Sequence, residues 1–182
     1  ARRITLTAED AHVFATTVLE NLRVANGTLS SQDARALLRR AGLGDWLTGL
    51  PQGLDTLLSS DATTLSGGER RRLLLARALA APAPLMLLDE PGEHLEAATA
   101  DRLVADLLQA GNGAEDAEEA EETARGVLLV THRLSALESA DEVLVLGIPE
   151  PGEPATIVRR GTHTRLSAQD ASYRWSLEHE HG

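Results

Sequence analysis

The sequence predicts an α/β fold, a mainly parallel sheet with an inserted helical block, and three observations carry that expectation. Four apolar runs, Ile4 to Thr7, Leu85 to Leu88, Val127 to Val130 and Val143 to Leu146, read as buried strands. Helical patterns separate them, as in α/β proteins. The middle two runs are continuous rather than alternating, which suits parallel strands covered on both faces.

The strand Ile4 to Thr7 is followed by a long, mainly helical block. It contains Thr17 to Val24, a helix near Gln32 to Arg40 capped from Ser30 or Ser31, and a turn at Leu50-Pro51-Gln52-Gly53. It ends with the helix that follows Leu65-Ser66-Gly67-Gly68-Glu69, where Leu73, Leu74, Ala76 and Leu79 recur at helical spacing. Ser66 and Glu69 stand in the S-x-x-E spacing of a capping box. Capping does not require Gly67 and Gly68, each about 0.8 to 1.0 kcal/mol worse than alanine in a helix. Two residues without side chains at a helix N-terminus let an anion such as phosphate approach the unpaired amides, so the pattern favours an anion site over a plain cap.

The run Leu85 to Leu88 ends abruptly in Asp89, Glu90 and Pro91. Open parallel sheets bind ligands beyond the carboxyl ends of their strands, where these two acids fall. One acid can hold Mg²⁺ through water while the other orients or deprotonates an attacking water. The same pair equally suits a solubilised loop or the cap of a helix starting near Glu93. The next strand repeats the design, with His132 just past its end, and a parallel sheet would put His132 on the same edge as Asp89 and Glu90. Gly111 to Gly126, with six carboxylates, reads as a solvated acidic loop or helix extension. After the fourth strand a proline-rich turn leads to a short strand, Ala155 to Arg160. A terminal helix opens at Gly161 to Leu166, with Tyr173 and Trp175 expected to pack.

Composition narrows the function. A net charge of -11 and a meagre aromatic complement of two Trp, one Tyr and one Phe argue against a nucleic-acid partner. There is no cysteine, hence no disulfide framework and no thiolate nucleophile or metal site. No apolar run approaches the roughly 20 residues of a membrane-spanning helix. All 17 basic residues are arginine, so the phosphate-binding loop G-x-x-x-x-G-K-[ST] is absent from these 182 residues.

In this order the segments resemble the nucleotide-binding domain of an ATP-binding cassette (ABC) protein. Leu65 to Glu69 is similar to the signature motif, Leu85 to Glu90 to Walker B, Glu93 to Glu96 to the D-loop and Thr131 to Arg133 to the switch-histidine segment. Ala8 to Leu22 is similar to the segment beginning at the Q-loop of exporter-type members, and Leu50 to Thr56 and Gly161 to Leu166 have exporter-like counterparts. Within the family, the sequences at Ser66 to Leu79, His94-Leu95 and Glu9 to Phe14 look most like the CydC and CydD half-transporters. Those form a heterodimeric exporter of thiol reductants, cysteine and glutathione, associated with cytochrome bd assembly.

The resemblance implies a P-loop NTPase-like ABC ATPase fold whose sheet receives a helical signature subdomain. It divides the chain into residues 1–15 (end of a strand and Q-loop), 16–82 (helical subdomain), 83–160 (sheet lobe) and 161–182 (terminal helix). It also implies that ATP and Mg²⁺ bind between two such domains. Ser66, Gly67, Gly68 and Glu69 would then meet the γ-phosphate held by a partner subunit. Asp89 would coordinate Mg²⁺ through water, Glu90 would be the general base, and His132 would contact the γ-phosphate. Implied partners are a second half-transporter's nucleotide-binding domain and a transmembrane domain, at the cytoplasmic face of the bacterial inner membrane. Because the phosphate-binding loop is missing, the stretch is expected to be the C-terminal part of a larger subunit, incomplete as a fold and inactive as an ATPase alone.

Three departures from the family pattern bear on activity. Glu9 stands where the Q-loop has glutamine, Glu96 replaces the D-loop aspartate, and the stretch Thr56 to Thr64 lacks the G-E-x-G of many exporters. They keep open a degenerate, non-hydrolytic half that regulates a partner ATPase. A soluble ABC ATPase of DNA maintenance also carries signature-like strings, but Pro91 after Asp89-Glu90 and the exporter-like front end argue against it.

Overall fold

The computed structural model describes residues 4–6, 11–58, 65–93, 95–109, 125–150 and 152–180. Three parallel strands, β1 (Ile4–Leu6), β2 (Leu85–Asp89) and β3 (Gly126–Val130), form a sheet in that order. Between β1 and β2 run the helices α1 (Val18–Arg23), α2 (Ser31–Arg40), α3 (Gly44–Gly49) and α4 (Gly67–Ala80). Helix α5 (Ala97–Gln109) connects β2 towards β3. Thr17 caps α1 and Ser30 caps α2, each hydroxyl accepting from the amide three residues on, so Ser30 rather than Ser31 is the α2 cap.

One core runs through the helical block and into the sheet. Leu22, Leu38, Leu43 and Leu73 belong to the same cluster as Met86 and Leu88 of β2 and Leu103 and Leu107 of α5. The register explains which strand residues join it. Met86 lies opposite Val127, and Leu88 opposite Leu129, so this face packs on the helices. The opposite face carries Ile4, Leu6, Leu128 and Val130, which are about half exposed. Coverage of the strands on both faces, expected from their continuous apolar character, is therefore found on one face only among the described residues. An unbroken apolar run reports compatibility with burial, whereas the helices that would bury the second face come from elsewhere in a fold.

The fourth apolar run departs further from expectation. β4 (Val143–Gly147) pairs antiparallel with β5 (Thr156–Gly161) in a separate two-stranded sheet. Val143 is buried, but Leu144 and Leu146 are exposed. The short connection to β5 makes a hairpin the nearest pairing available, and a hairpin buries one face.

Two further expectations are corrected. The helix expected from near Glu93 begins at Ala97, after a turn over Pro91 to Glu93. The terminal helix is two, α6 (His163–Gln169) and α7 (Ala171–Glu178), because Asp170 leaves helical geometry and caps α7 through Ser172 and Tyr173 N–H. Tyr173 packs with Val104, Ala136, Leu137, Val143 and Leu166 in a second core. Trp175 does not pack inward; it is exposed and stacks on His179, with centroids 4.4 Å apart. The acidic stretch expected from Gly111 to Gly126 lies, apart from Arg125 and Gly126, outside the described residues.

Candidate functional site

Helix α4 begins with the capping box read from its sequence. Glu69 N–H donates to Ser66 Oγ at 3.2 Å, and Ser66 N–H donates to Glu69 Oε2 at 2.7 Å. Among the described residues, nothing demands the two glycines between them. Their backbone is not left-handed, and among the described residues a Cβ added to Gly67 would meet nothing within 4 Å and one on Gly68 only the end of Arg72 at 3.8 Å. The helix therefore carries two poor helix formers that its own packing does not require. They keep the positive end of α4 bare, which suits close approach of an anion.

The arginines after the glycines tie α4 in place. Arg70 donates to Ala11 O at 2.7 Å, Arg71 pairs with Glu93 at 2.8 Å, and Arg72 donates to Gly42 O at 3.1 Å. Arg77 donates to Asn21 O and Asn21 Oδ1, both at 2.7 Å, and to His12 O at 2.6 Å. Asn21 is fully buried, and its amide also bonds the backbone of Phe14 and Thr17. Burial and the nearby Arg70 lower the Arg77 pKa, yet arginine remains charged. This network was not foreseen from the sequence, because Asn21 and Arg77 are 56 positions apart and nothing local marks them as partners.

The carboxyl edge of the sheet brings Glu90 and His132 together. β2 ends on Asp89, opposite Val130 at the end of β3. Glu90 then turns with φ 41°, its N–H donating to Val130 O at 2.9 Å. Such backbone in a non-glycine residue costs about 1–3 kcal/mol and concentrates at functional sites. The turn directs the carboxylate across the edge, so that Glu90 Oε1 lies 3.0 Å from His132 Nδ1. Both side chains stay open to solvent, 28% and 68% exposed. Asp89 is exposed at the same edge.

Among the described residues no group of three or more His, Cys, Asp or Glu could cage a metal. A hard oxygen donor at an open edge instead fits Mg²⁺, which is usually held by one or two carboxylates together with substrate phosphates and water. Glu96 lies at the N-terminus of α5, where its carboxylate accepts from Ala98 N–H and Thr99 N–H at 3.3 Å and from Thr99 Oγ1 at 3.1 Å. The Ala98 amide, followed by the Thr99 hydroxyl, holds its pKa below the ordinary glutamate value. Glu9 and His94 lie outside the described residues.

A family model described as ABC transporter matches residues 1–93. The chain is 35% identical over 175 residues to an ATP-dependent lipid A-core flippase of Vibrio cholerae, covering 94% of this chain and 27% of that protein. It is 32% identical over 163 residues to the glutathione/L-cysteine transport system ATP-binding/permease protein CydD of Bacillus subtilis, covering 90% of this chain and 25% of that protein. Among solved structures, a bacterial Atm1-family ABC exporter with ATP bound matches with a TM-score of 0.74 and 25% identity, covering 99% of this chain and 29% of that chain. The chain thus spans about a quarter of the length of the curated relatives it matches.

Proposed function

Because the chain belongs to the ABC transporter family, we propose that it is the part of an ABC exporter that completes an ATP site with Ser66 to Glu69 and hydrolyses ATP through Glu90. The contact between Glu90 and His132 carries this reading. It joins a carboxylate and an imidazole at the sheet edge where a parallel α/β protein binds its ligand.

Each residue then has a role its chemistry allows. Glu90 accepts the proton of the attacking water, and His132, bonded to Glu90 through Nδ1, presents Nε2 to the γ-phosphate. Asp89 would be the residue that holds Mg²⁺, which when bound would supply positive charge against the phosphates. Gly67 and Gly68 admit the phosphate of a nucleotide held mainly by a partner's phosphate-binding loop, and Ser66 and Glu69 hold the helix end in shape. By its place in the sequence Glu9 would serve as the Q-loop residue, and Glu96 sets the α5 end that would face the partner domain. Phosphoryl transfer depends on positioning and charge stabilisation, which is what this edge supplies.

The partners in this reading are a second nucleotide-binding domain and a transmembrane domain at the inner membrane. A cysteine or glutathione cargo is supported by the likeness to the glutathione/L-cysteine transport protein CydD, and a role in cytochrome bd assembly only by the resemblance of the sequence motifs to CydC and CydD. The likeness to lipid A-core flippases favours a lipid-linked cargo as a second reading. The decisive experiment measures ATPase activity of the full-length subunit with its partner, comparing wild type with Glu90→Gln. The expected result is a kcat at least about a hundredfold lower with ATP still retained, the scale of a lost general base. Unchanged turnover would instead assign this half a non-hydrolytic, regulatory role.

A further inference from the structure

Immediately after His132, Arg133 reaches back across three pieces of the candidate site. Its Nε and Nη2 both lie 2.8 Å from Asp101 Oδ1 on α5, and Nη2 donates to Ala97 O at 3.1 Å, in the first turn of that helix. Its own N–H is held by Thr131 Oγ1 at 3.1 Å. The arginine stem passes beside Gly92, in the loop that carries Glu90. A Cβ at Gly92 would come within 3.6 Å of Arg133 Cδ and within 3.0 Å of Ala100 Cβ. One side chain, only 15% exposed, thereby joins the end of β3, the loop after β2 and the start of α5, next to Glu96.

We infer that Arg133, through its ion pair with Asp101, is a positioning residue that holds His132 in bonding register with Glu90 and couples that register to the α5 end bearing Glu96. The inference rests on the proposed roles of Glu90 and His132. Its physical basis is the exposure of the pair. His132 is 68% exposed, so solvent competes for its bond to Glu90, and nothing in that contact alone fixes the loop. Arg133 is the adjacent residue with a partly buried, multiply bonded head group. Fixing its Cα fixes its neighbour. Ser135 extends the tie, since its N–H and hydroxyl donate to Glu180 at 2.9 and 3.1 Å.

The test uses the full-length subunit with its partner and compares wild type, Arg133→Ala, Arg133→Lys, Asp101→Asn, the double variant Arg133→Ala/Asp101→Asn, and Glu90→Gln. Arg133→Ala is expected to lower kcat about ten- to a hundredfold with KM within about twofold, as for a misplaced but intact catalytic group. Lysine should restore part of the rate, because it keeps the stem and one charged contact. The double variant should be no slower than Arg133→Ala, the mark of a shared interaction. Without nucleotide, amide exchange at Glu90 and Arg133 should rise in Arg133→Ala and in Asp101→Asn, which is the milder change should alanine impair folding. Wild-type kcat and exchange in both single variants, beside an inactive Glu90→Gln, would overturn the inference and leave the proposed chemistry standing. Full turnover by Glu90→Gln would overturn the proposed chemistry itself, and the inference with it.

Discussion

At the residue scale, Gly67 and Gly68 separate what the fold needs from what the site needs. Alanine fits at both positions, with ordinary helical backbone and, among the described residues, no contact closer than 3.8 Å. Gly67→Ala and Gly68→Ala are therefore expected to leave stability unchanged or to raise it by up to about 1 kcal/mol, measured from urea midpoints. The same substitutions should lower ATPase activity of the assembled transporter by at least tenfold, since a methyl group would stand where phosphate approaches. If both variants turn over normally, the paired glycines do not form an anion site. Glu90 offers the complementary lesson. Its identity was legible from its place after an apolar strand, but its left-handed backbone was not, because that conformation belongs to the turn by which the chain leaves β2 beside Val130 and no local pattern marks it.

At the scale of elements, end chemistry decided most boundaries. Thr17, Ser30 and Ser66 mark helix starts through side-chain caps, and all three helices start where a local reading puts them or within one residue. α5 was harder, because Glu93 and Glu96 are both acceptable near a start; Glu96 accepts the first-turn amides and fixes it at Ala97. Asp170 divides the terminal helix in two. Its carboxylate accepts first from Tyr173 N–H, then from Arg159 and Ser172, so its pKa lies below the ordinary aspartate value. A depressed carboxylate contributes stability that is present above its unfolded pKa of about 3.9 and lost as pH falls through the folded value. Acidification below about pH 4 is accordingly expected to loosen α7 in wild type more than in Asp170→Asn, read by Trp175 fluorescence. Equal acid responses would show that the cap carries no linkage.

At the scale of the whole molecule, the helical block and the sheet are joined by one core and by the arginines of α4. Arg70 and Arg77 both hold the segment at Ala11 and His12, Arg77 also holds Asn21, Arg71 holds Glu93 and Arg72 holds Gly42, so α4 cannot move without disturbing these neighbours. The same view sets a limit on activity. With no lysine in the 182 residues, this polypeptide lacks the cation that grips the β- and γ-phosphates in a phosphate-binding loop. Purified by itself it is expected to show no multiple-turnover ATP hydrolysis, by phosphate release at saturating Mg²⁺ and ATP. Sustained release would mean that Asp89, Glu90 and His132 operate without that loop.

By itself the sequence determined the α/β class, the capped start of α4 and the alignment of Asp89, Glu90 and His132 on one strand edge, because these follow from period, caps and the rule that parallel strands share a carboxyl end. Tertiary structure alone decided that Val143 to Leu146 joins a hairpin rather than the parallel sheet, that one sheet face is uncovered among the described residues, and that Arg77 meets Asn21 and Arg133 meets Asp101. An apolar run has no label for its partner, and an arginine can reach many carbonyls and carboxylates. Those choices are made by which surfaces the packed chain brings within hydrogen-bonding distance.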